Sequence, residues 1–376
     1  MERVVVAAGR FEAAEAALAE AVRRLEARLE SFSSAREAAR ALHAGPKSAL
    51  LVDTSLEGVA ALVQDIRSSE DADLLPVLAV VPAASETDAV QAYTMGADDF
   101  VPVADLQTLL LPKLRAAIAE VAEVAPPVAG RTVLLADGSQ LHRIVLGKLL
   151  AQAGFAVTAV TDGTEALDLL ERGRTFDLLV IDLGLARVGA IDVLSHFRIK
   201  LGTGTPPAIG LVHVGVSDAV ALRALTSGFR CVHDKRRPPE DLVFLANETG
   251  ANAERNLRSS PRLLCSTLVR WRAGGDQWRV GLTHNLSLRG LYVRAMDPPR
   301  VGTAIELSLT PPGALRQVSL RAHVAWRKDF AERAVRSYPT GMGVALHEMP
   351  ARVQMVFEEA ARLLASSSGP AADPKR

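Results

Sequence analysis

The sequence predicts a multidomain fold: two doubly wound parallel α/β sheets in succession, then a small antiparallel β-barrel closed by a helix. Three observations carry this. The chain has 376 residues, long for one hydrophobic core and suited to three of about 100–150 residues each. Two segments read alike at a period of about 130 residues, which marks a domain duplication. After about Gly250 the pattern changes to alternating apolar and polar residues, the period of half-buried strands.

The first copy starts with the apolar run Val4-Val5-Val6-Ala7 and the second with Val133-Leu134-Leu135-Ala136, each followed by a helical pattern. Next come Ser48 to Asp53 and Phe176 to Asp182, short apolar runs ending at a carboxylate. Later runs follow prolines, at Pro76 to Val81 and Pro207 to Val212. Continuous apolar strands alternating with amphipathic helices predict a parallel sheet covered on both faces, with function at the carboxyl ends of the strands. Ala125-Pro-Pro-Val-Ala-Gly130 reads as the linker between copies, because paired prolines stop a helix. The boundaries predicted are 1–124, 131–248 and 254–366.

The last part offers strands at Leu264–Arg272, Trp278–Leu286, Gly290–Arg294, Ala304–Leu309, Val318–Trp326 and Gly343–Leu346. Ala273-Gly-Gly-Asp276 supplies a hairpin turn. A closing helix from about Ala351 to Leu364 places Val353, Val356, Phe357, Ala360 and Leu364 on one face. From Ser366 to Arg376 the tail is polar and expected to be disordered.

Composition sets the class. Hydrophobic residues make up 49% and charged residues 23%, the balance of a globular protein. Two cysteines, Cys231 and Cys265, can build neither a disulfide framework nor a four-thiolate zinc site. No stretch reaches the roughly 20 apolar residues of a membrane span, and no leader pattern opens the chain, so a cytoplasmic protein without membrane insertion is expected. A formal net charge of zero hides an asymmetry: Glu254 to Leu364 holds 17 Lys and Arg against 9 Asp and Glu. A basic C-terminal third behind an acidic remainder puts anion binding at the end of the chain.

Over Arg131 to Asn247 the second copy resembles the receiver domain of response regulators, a flavodoxin-like fold. Ala136-Asp137-Gly138-Ser139 stands where that family has an acidic pair, Asp182 where it has the phosphorylated aspartate, and Lys235 where it has an invariant lysine. Phosphoryl transfer needs carboxylates that hold a metal ion, a nucleophilic carboxylate and a cation for the phosphoryl oxygens. Two parts are missing. Gly138 replaces the second acid and Val212 the switch hydroxyl, so Asp182 is expected to be a poor phosphoacceptor with at most a weak magnesium site at Asp137 and Asp182. Otherwise Asp137, Asp182 and Lys235 form a structural cluster holding the sheet ends together. The first copy keeps Asp53 at the acceptor position, but Ala8-Gly9, Val81 and Val103 replace the acidic pair, the hydroxyl and the lysine. It reads as a degenerate receiver for protein contacts.

From about Glu254 to Leu364 the chain resembles the PilZ family of cyclic di-GMP receptors. Arg258-Ser-Ser-Pro-Arg262 matches the family's arginine pair, and Asn285-Leu-Ser-Leu-Arg-Gly290 its Asp-or-Asn, Ser, Gly element. The ligand presents phosphates and guanine edges, and a planar guanidinium can fork onto either. Pro261 disfavours helix at Ser260, so the arginines stand as much as about 13 Å apart on extended chain. Asn285 and Ser287 share a strand face and can bond a guanine edge. Gly290 lets a ligand or the arginine segment approach the backbone. Trp326 reads as barrel core.

No paired histidine spacing, Gly-rich phosphate loop or Ser/His/Asp order argues for an enzyme, and Lys235-Arg-Arg237 is too short to argue for nucleic acid. The expected function is a bacterial cyclic di-GMP effector or adaptor coupling ligand binding to a protein partner, such as a histidine kinase or motility or polysaccharide machinery; oligomerisation is left open. The alternatives are a phosphorelay response regulator phosphorylated on Asp182, with magnesium, and a ligand-free scaffold.

Overall fold

A computed structural model of the chain describes residues 3–11, 15–68, 75–120, 130–213, 218–250, 262–332, 338–347 and 349–368. The first sheet is built from β1 (Arg3–Ala8), α1 (Glu15–Arg24), β2 (Ala27–Phe32), α2 (Ala35–His43), β3 (Ala49–Asp53), α3 (Val59–Ser68), β4 (Val77–Val81), α4 (Glu86–Met95), β5 (Asp99–Pro102) and α5 (Leu106–Ala117). Its strands lie parallel in the order β2-β1-β3-β4-β5. The apolar runs become central strands buried on both faces, which is why they carry no alternation. Helix starts are set locally: Ser34 and Ser85 accept backbone N–H groups of Glu37 and Asp88, capping α2 and α4.

The second sheet repeats the plan with β6 (Arg131–Ala136), α6 (Gln140–Gln152), β7 (Phe155–Val160), α7 (Gly163–Glu171), β8 (Leu178–Asp182), α8 (Ala190–Leu201), β9 (Ala208–Val212), α9 (Asp218–Thr226), β10 (Cys231–Asp234) and α10 (Glu240–Gly250). The strand order β10-β9-β8-β6-β7 is the same doubly wound order traced from the other edge. Both copies share an arginine clamp that periodicity does not reveal. Arg67 at the end of α3 bonds the Gly96 carbonyl at 2.9 Å and the Asp98 carboxylate at 2.7 Å. Arg198 at the end of α8 bonds the Ser227 and Gly228 carbonyls at 2.5 and 3.2 Å.

The third part comprises β11 (Leu263–Leu264), β12 (Leu268–Ala273), β13 (Arg279–Ser287), β14 (Gly290–Arg294), β15 (Ala304–Leu309), β16 (Val318–Lys328), β17 (Gly341–Leu346) and α11 (Ala351–Ser368). Six strands run β13-β12-β15-β16-β17-β14, and pairing of β13 with β14 closes the barrel. Inside lie Leu286, Leu291, Val324 and Val344 in one cross-strand row, with Trp271 as the buried tryptophan. The predicted strand Leu264–Arg272 is two strands, because Thr283 breaks it. The Thr283 hydroxyl accepts the Thr267 N–H at 2.8 Å and donates to the Cys265 carbonyl, beside a bulge between Thr283 and Asn285. In α11 the predicted face is the packed one, with Phe357 and Ala360 fully buried; the helix continues through Ser368, where the polar tail was expected. Most of the predicted linker at Ala125–Gly130 lies outside the described residues.

The chain divides into two compact units, one joining the first sheet to the barrel and the other holding the second sheet. In the first unit, Val280, Leu282, Met296 and Phe330 of the third part belong to the same core cluster as β1, β3, β4, α4 and α5. Helix α4 packs on β13, and α5 on the turn at Phe330–Glu332. Among the described residues no helix is long and apolar enough to cross a membrane.

Candidate functional site

At the carboxyl end of the second sheet, β6, β8 and β10 bring Asp137, Asp182 and Lys235 together. The Lys235 Nζ lies 2.7 Å from Asp137 Oδ2 and 2.8 Å from Asp182 Oδ2. Asp137 is fully buried, and its other oxygen accepts the Ser139 N–H at 2.8 Å; Asp182 Oδ1 accepts the Gly184 N–H at 3.0 Å. Each carboxylate is thus held by a backbone donor on one oxygen and shares one ammonium on the other, an arrangement that satisfies two buried charges with a single cation. His142, which sequence reasoning passed over, stands at the rim with Nδ1 3.8 Å from Asp137 Oδ2. Burial, and next the Lys235 charge, lower its pKa and favour the neutral ring, against the pull of the carboxylates.

These residues do not fit a magnesium ion as they stand. Lys235 occupies the space between the two carboxylates, Gly138 offers no third, and among the described residues no group of three or more His, Cys, Asp or Glu is placed to hold a metal. Val212, half-buried at the end of β9, presents no hydroxyl.

In the first copy Asp53 accepts the Ser55 N–H at 2.9 Å and the Ser55 hydroxyl at 2.7 Å, at the edge of a cleft beside Arg10 and Arg36. Val81 is fully buried and Val103 is exposed on the turn before α5. Among the described residues no cation is ion-paired to Asp53 as Lys235 is to Asp182: the corresponding backbone carries Val103 instead.

On the barrel, only the end of the arginine segment is described, beside the strand that carries the Asn-Ser-Gly element. Arg258 lies outside the described residues. Arg262 immediately precedes β11, whose antiparallel register pairs Leu263 with Leu286 and Leu264 with Asn285. Continuing that register brings Arg262 level with Ser287. Asn285 and Ser287 share the outer face, since the intervening Leu286 points into the barrel. Asn285 is nearly fully buried and Ser287 half-buried, with the Ser287 hydroxyl donating to the Gly290 carbonyl at 3.0 Å. That bond closes the turn from β13 into β14. Gly290 is demanded by the barrel itself: a Cβ there would stand 2.3 Å from the Val344 carbonyl oxygen of β17.

Trp326 is not barrel core. It is half-buried on the outer face, stacked on Tyr292 with ring centroids 4.9 Å apart. Gly343 lies beneath it, where a Cβ would come within 2.0 Å of the indole nitrogen. Asn285, Tyr292, Gly343 and Trp326 form one cross-strand row, so an aromatic wall continues from the motif residues. The Tyr292 hydroxyl donates to the Pro339 carbonyl at 2.5 Å, fixing the inner ring. The pairing of Tyr292 with Trp326 across a glycine could have been found only from the register.

Residues 256–362 match the family model described as the PilZ domain, and residues 133–245 that of the response regulator receiver domain. The regulator of RpoS of Escherichia coli strain K12 is 31% identical over 98 residues, covering 26% of this chain and 28% of the relative. The chain thus spans little more than a quarter of that protein's length. Among solved structures, a two-component system response regulator/GGDEF domain protein is 19% identical, covering 68% of this chain and 100% of its own, with a TM-score of 0.32. The chemotaxis response regulator CheY4 of Vibrio cholerae is 22% identical over 32% of this chain and 98% of its own, at 0.29. The Bacillus subtilis inhibitor of motility MotI/DgrA is 18% identical over 29% of this chain and 52% of its own, at 0.25. Behind a first α/β copy, the chain therefore carries a response regulator receiver domain and, after it, a C-terminal PilZ domain.

Proposed function

We propose that this chain is a bacterial cyclic di-GMP effector or adaptor. The barrel captures the dinucleotide, and the α/β copies present the result to a protein partner. Arg258 and Arg262 supply forked guanidinium donors for phosphate oxygens or for guanine O6 and N7, Asn285 and Ser287 bond a guanine edge, and Gly290 keeps the turn between β13 and β14 close to β17. The observation that carries this reading is the pairing of β11 with the end of β13, which sets Arg262 at the level of Ser287. This register supports reading Arg262 and the Asn-Ser-Gly element as parts of one patch, beside the stacked Tyr292 and Trp326. The chain is read as a regulator rather than an enzyme, since receiver and PilZ domains are regulatory modules.

Calorimetric titration of the full chain with cyclic di-GMP tests the proposal. Saturable binding is expected, weakened in Arg258→Ala or Arg262→Ala by about 2 kcal/mol each, roughly thirtyfold, because each removes charge-assisted bonds. Unchanged affinity in the double variant would move the site elsewhere.

A further inference from the structure

The two copies differ most sharply on the face made by their fourth and fifth helices and fifth strand. In the second copy Cys231 of β10 and Thr249 of α10 meet with Sγ and Oγ1 4.0 Å apart. Burial pushes the Cys231 thiol up to about 11, so the pair is neutral. In the first copy the corresponding positions hold Asp99 of β5 and Lys113 of α5, both buried and ion-paired. The fully buried Asp99 carboxylate takes four donors. Its Oδ1 accepts the Phe100 N–H at 2.7 Å and the Tyr93 hydroxyl at 3.2 Å; its Oδ2 accepts the Lys113 ammonium and, at 2.7 Å, the Met296 N–H.

Met296 belongs to the barrel. A buried charge in the first copy is therefore completed by a backbone donor 197 residues further on. The barrel adds a matching pair of its own, Arg279 bonded to Asp297, whose carboxyl burial raises above its usual range against the charges of Lys113 and Arg279. Its Arg294 guanidinium lies 4.6 Å from the centre of the Tyr93 ring. Around these polar groups, Val280, Leu282, Met296 and Phe330 complete the first copy's core.

We propose that the α4-β5-α5 face of the first copy is an intramolecular docking surface dedicated to the barrel, with Asp99 and Lys113 as positioning residues that fix its register. The two then open as one cooperative unit, and this face takes no other partner. Apolar burial supplies attraction without direction, whereas a buried ion pair tolerates only the arrangement that gives every lone pair a donor. Strand β13 carries the consequence further. Its Val280 and Leu282 lie in the joint and its Asn285 and Ser287 in the patch assigned to the nucleotide, so one strand spans both.

Residue-resolved hydrogen exchange on the full chain, without nucleotide, tests the joint independently of the ligand reading. In the parent protein the Met296 amide should exchange together with β13 and α5. In Asp99→Ala, exchange at Met296 and along α4 and α5 should quicken about tenfold or more, while β6, β8 and β9 of the second unit stay unchanged. Unaltered protection at Met296, or α5 opening separately from β13 in the parent, would overturn the proposal. If Asp99→Ala does not fold, Leu282→Gln reads the joint from the barrel side. Faster exchange in α4 is then the expected result, and an unaffected α4 the contrary one.

Discussion

Gly9 and Gly138 follow the first strands of the two α/β copies by one residue and by two, Gly9 standing level with Asp137, and each leaves an acid out for the opposite reason. A Cβ on Gly9 would stand 2.4 Å from the Asp53 Cβ and 2.8 Å from the Phe11 ring, so the chain has closed over the place where an acid would be. At Gly138 the nearest atom to a built Cβ is the Thr161 carbonyl oxygen at 3.9 Å, and the space is open. One pocket was lost by packing and the other by deletion of a side chain. The first loss needs a rebuilt loop to undo; the second needs one substitution. The carboxylates follow suit: Asp53 is satisfied by its own Ser55, whereas Asp182 shares Lys235 with Asp137.

The largest test of this contrast removes the shared cation. Lys235→Met leaves Asp137 and Asp182 buried side by side without a counter-charge, and should cost the second unit about 3–5 kcal/mol. Asp53→Asn in the first copy should cost less than about 1 kcal/mol, since the amide oxygen still accepts the Ser55 N–H and hydroxyl and no buried partner charge is left behind. Denaturant unfolding with a reporter in each unit separates the two, and equal losses would erase the distinction.

Next in size is a proton. His233 of β10 is buried and its pKa lowered to about 4, chiefly by desolvation, with Asp241 pulling the other way. The unfolded chain takes up this proton near pH 6.5 while the folded chain resists it. The ring's contribution is therefore complete above about pH 6.5 and declines by about 3 kcal/mol as pH falls to 4. His233→Leu should flatten unfolding midpoints of the second unit across that window. The first copy has Val101 at the same place and should show no such slope.

The smallest structural change sharpens the comparison most. Gly9→Ala should destabilise the first unit by about 1–3 kcal/mol through overpacking. Gly138→Asp should stay within about 0.5 kcal/mol and, with magnesium and acetyl phosphate, raise labelling of Asp182 above the slow or absent labelling expected of the parent chain. Rapid labelling of the unmodified chain would instead favour the phosphorelay reading.

The sheets and barrel strands were legible because apolar runs and alternation report burial directly. The joint between first copy and barrel was harder to read. Alternation in β13 implies a solvent face, yet seven consecutive residues, Val280 to Leu286, are buried, since the first copy covers the outer side. A signal was present in α5: Lys113 falls on the apolar stripe of Leu106, Leu109, Leu110, Leu114 and Ala117, a charge at a core position. At the patch proposed for the nucleotide, the motif points to Asn285, Ser287 and Gly290. The Tyr292–Trp326 stack could not be named from it, because it depends on which strands are neighbours and on a bulge between Val324 and Trp326.

The bond from Met296 to Asp99 also sets a clock. At about 5–20 residues per second, a ribosome needs on the order of ten seconds or more to travel the 197 residues between them. Throughout that interval the first copy can fold, but its α4-β5-α5 face has nothing to meet. A purely apolar surface left bare so long would invite aggregation with neighbouring nascent chains. The Asp99–Lys113 pair lets the same surface remain hydrated while it waits, and becomes a lock only when the last third of the chain arrives.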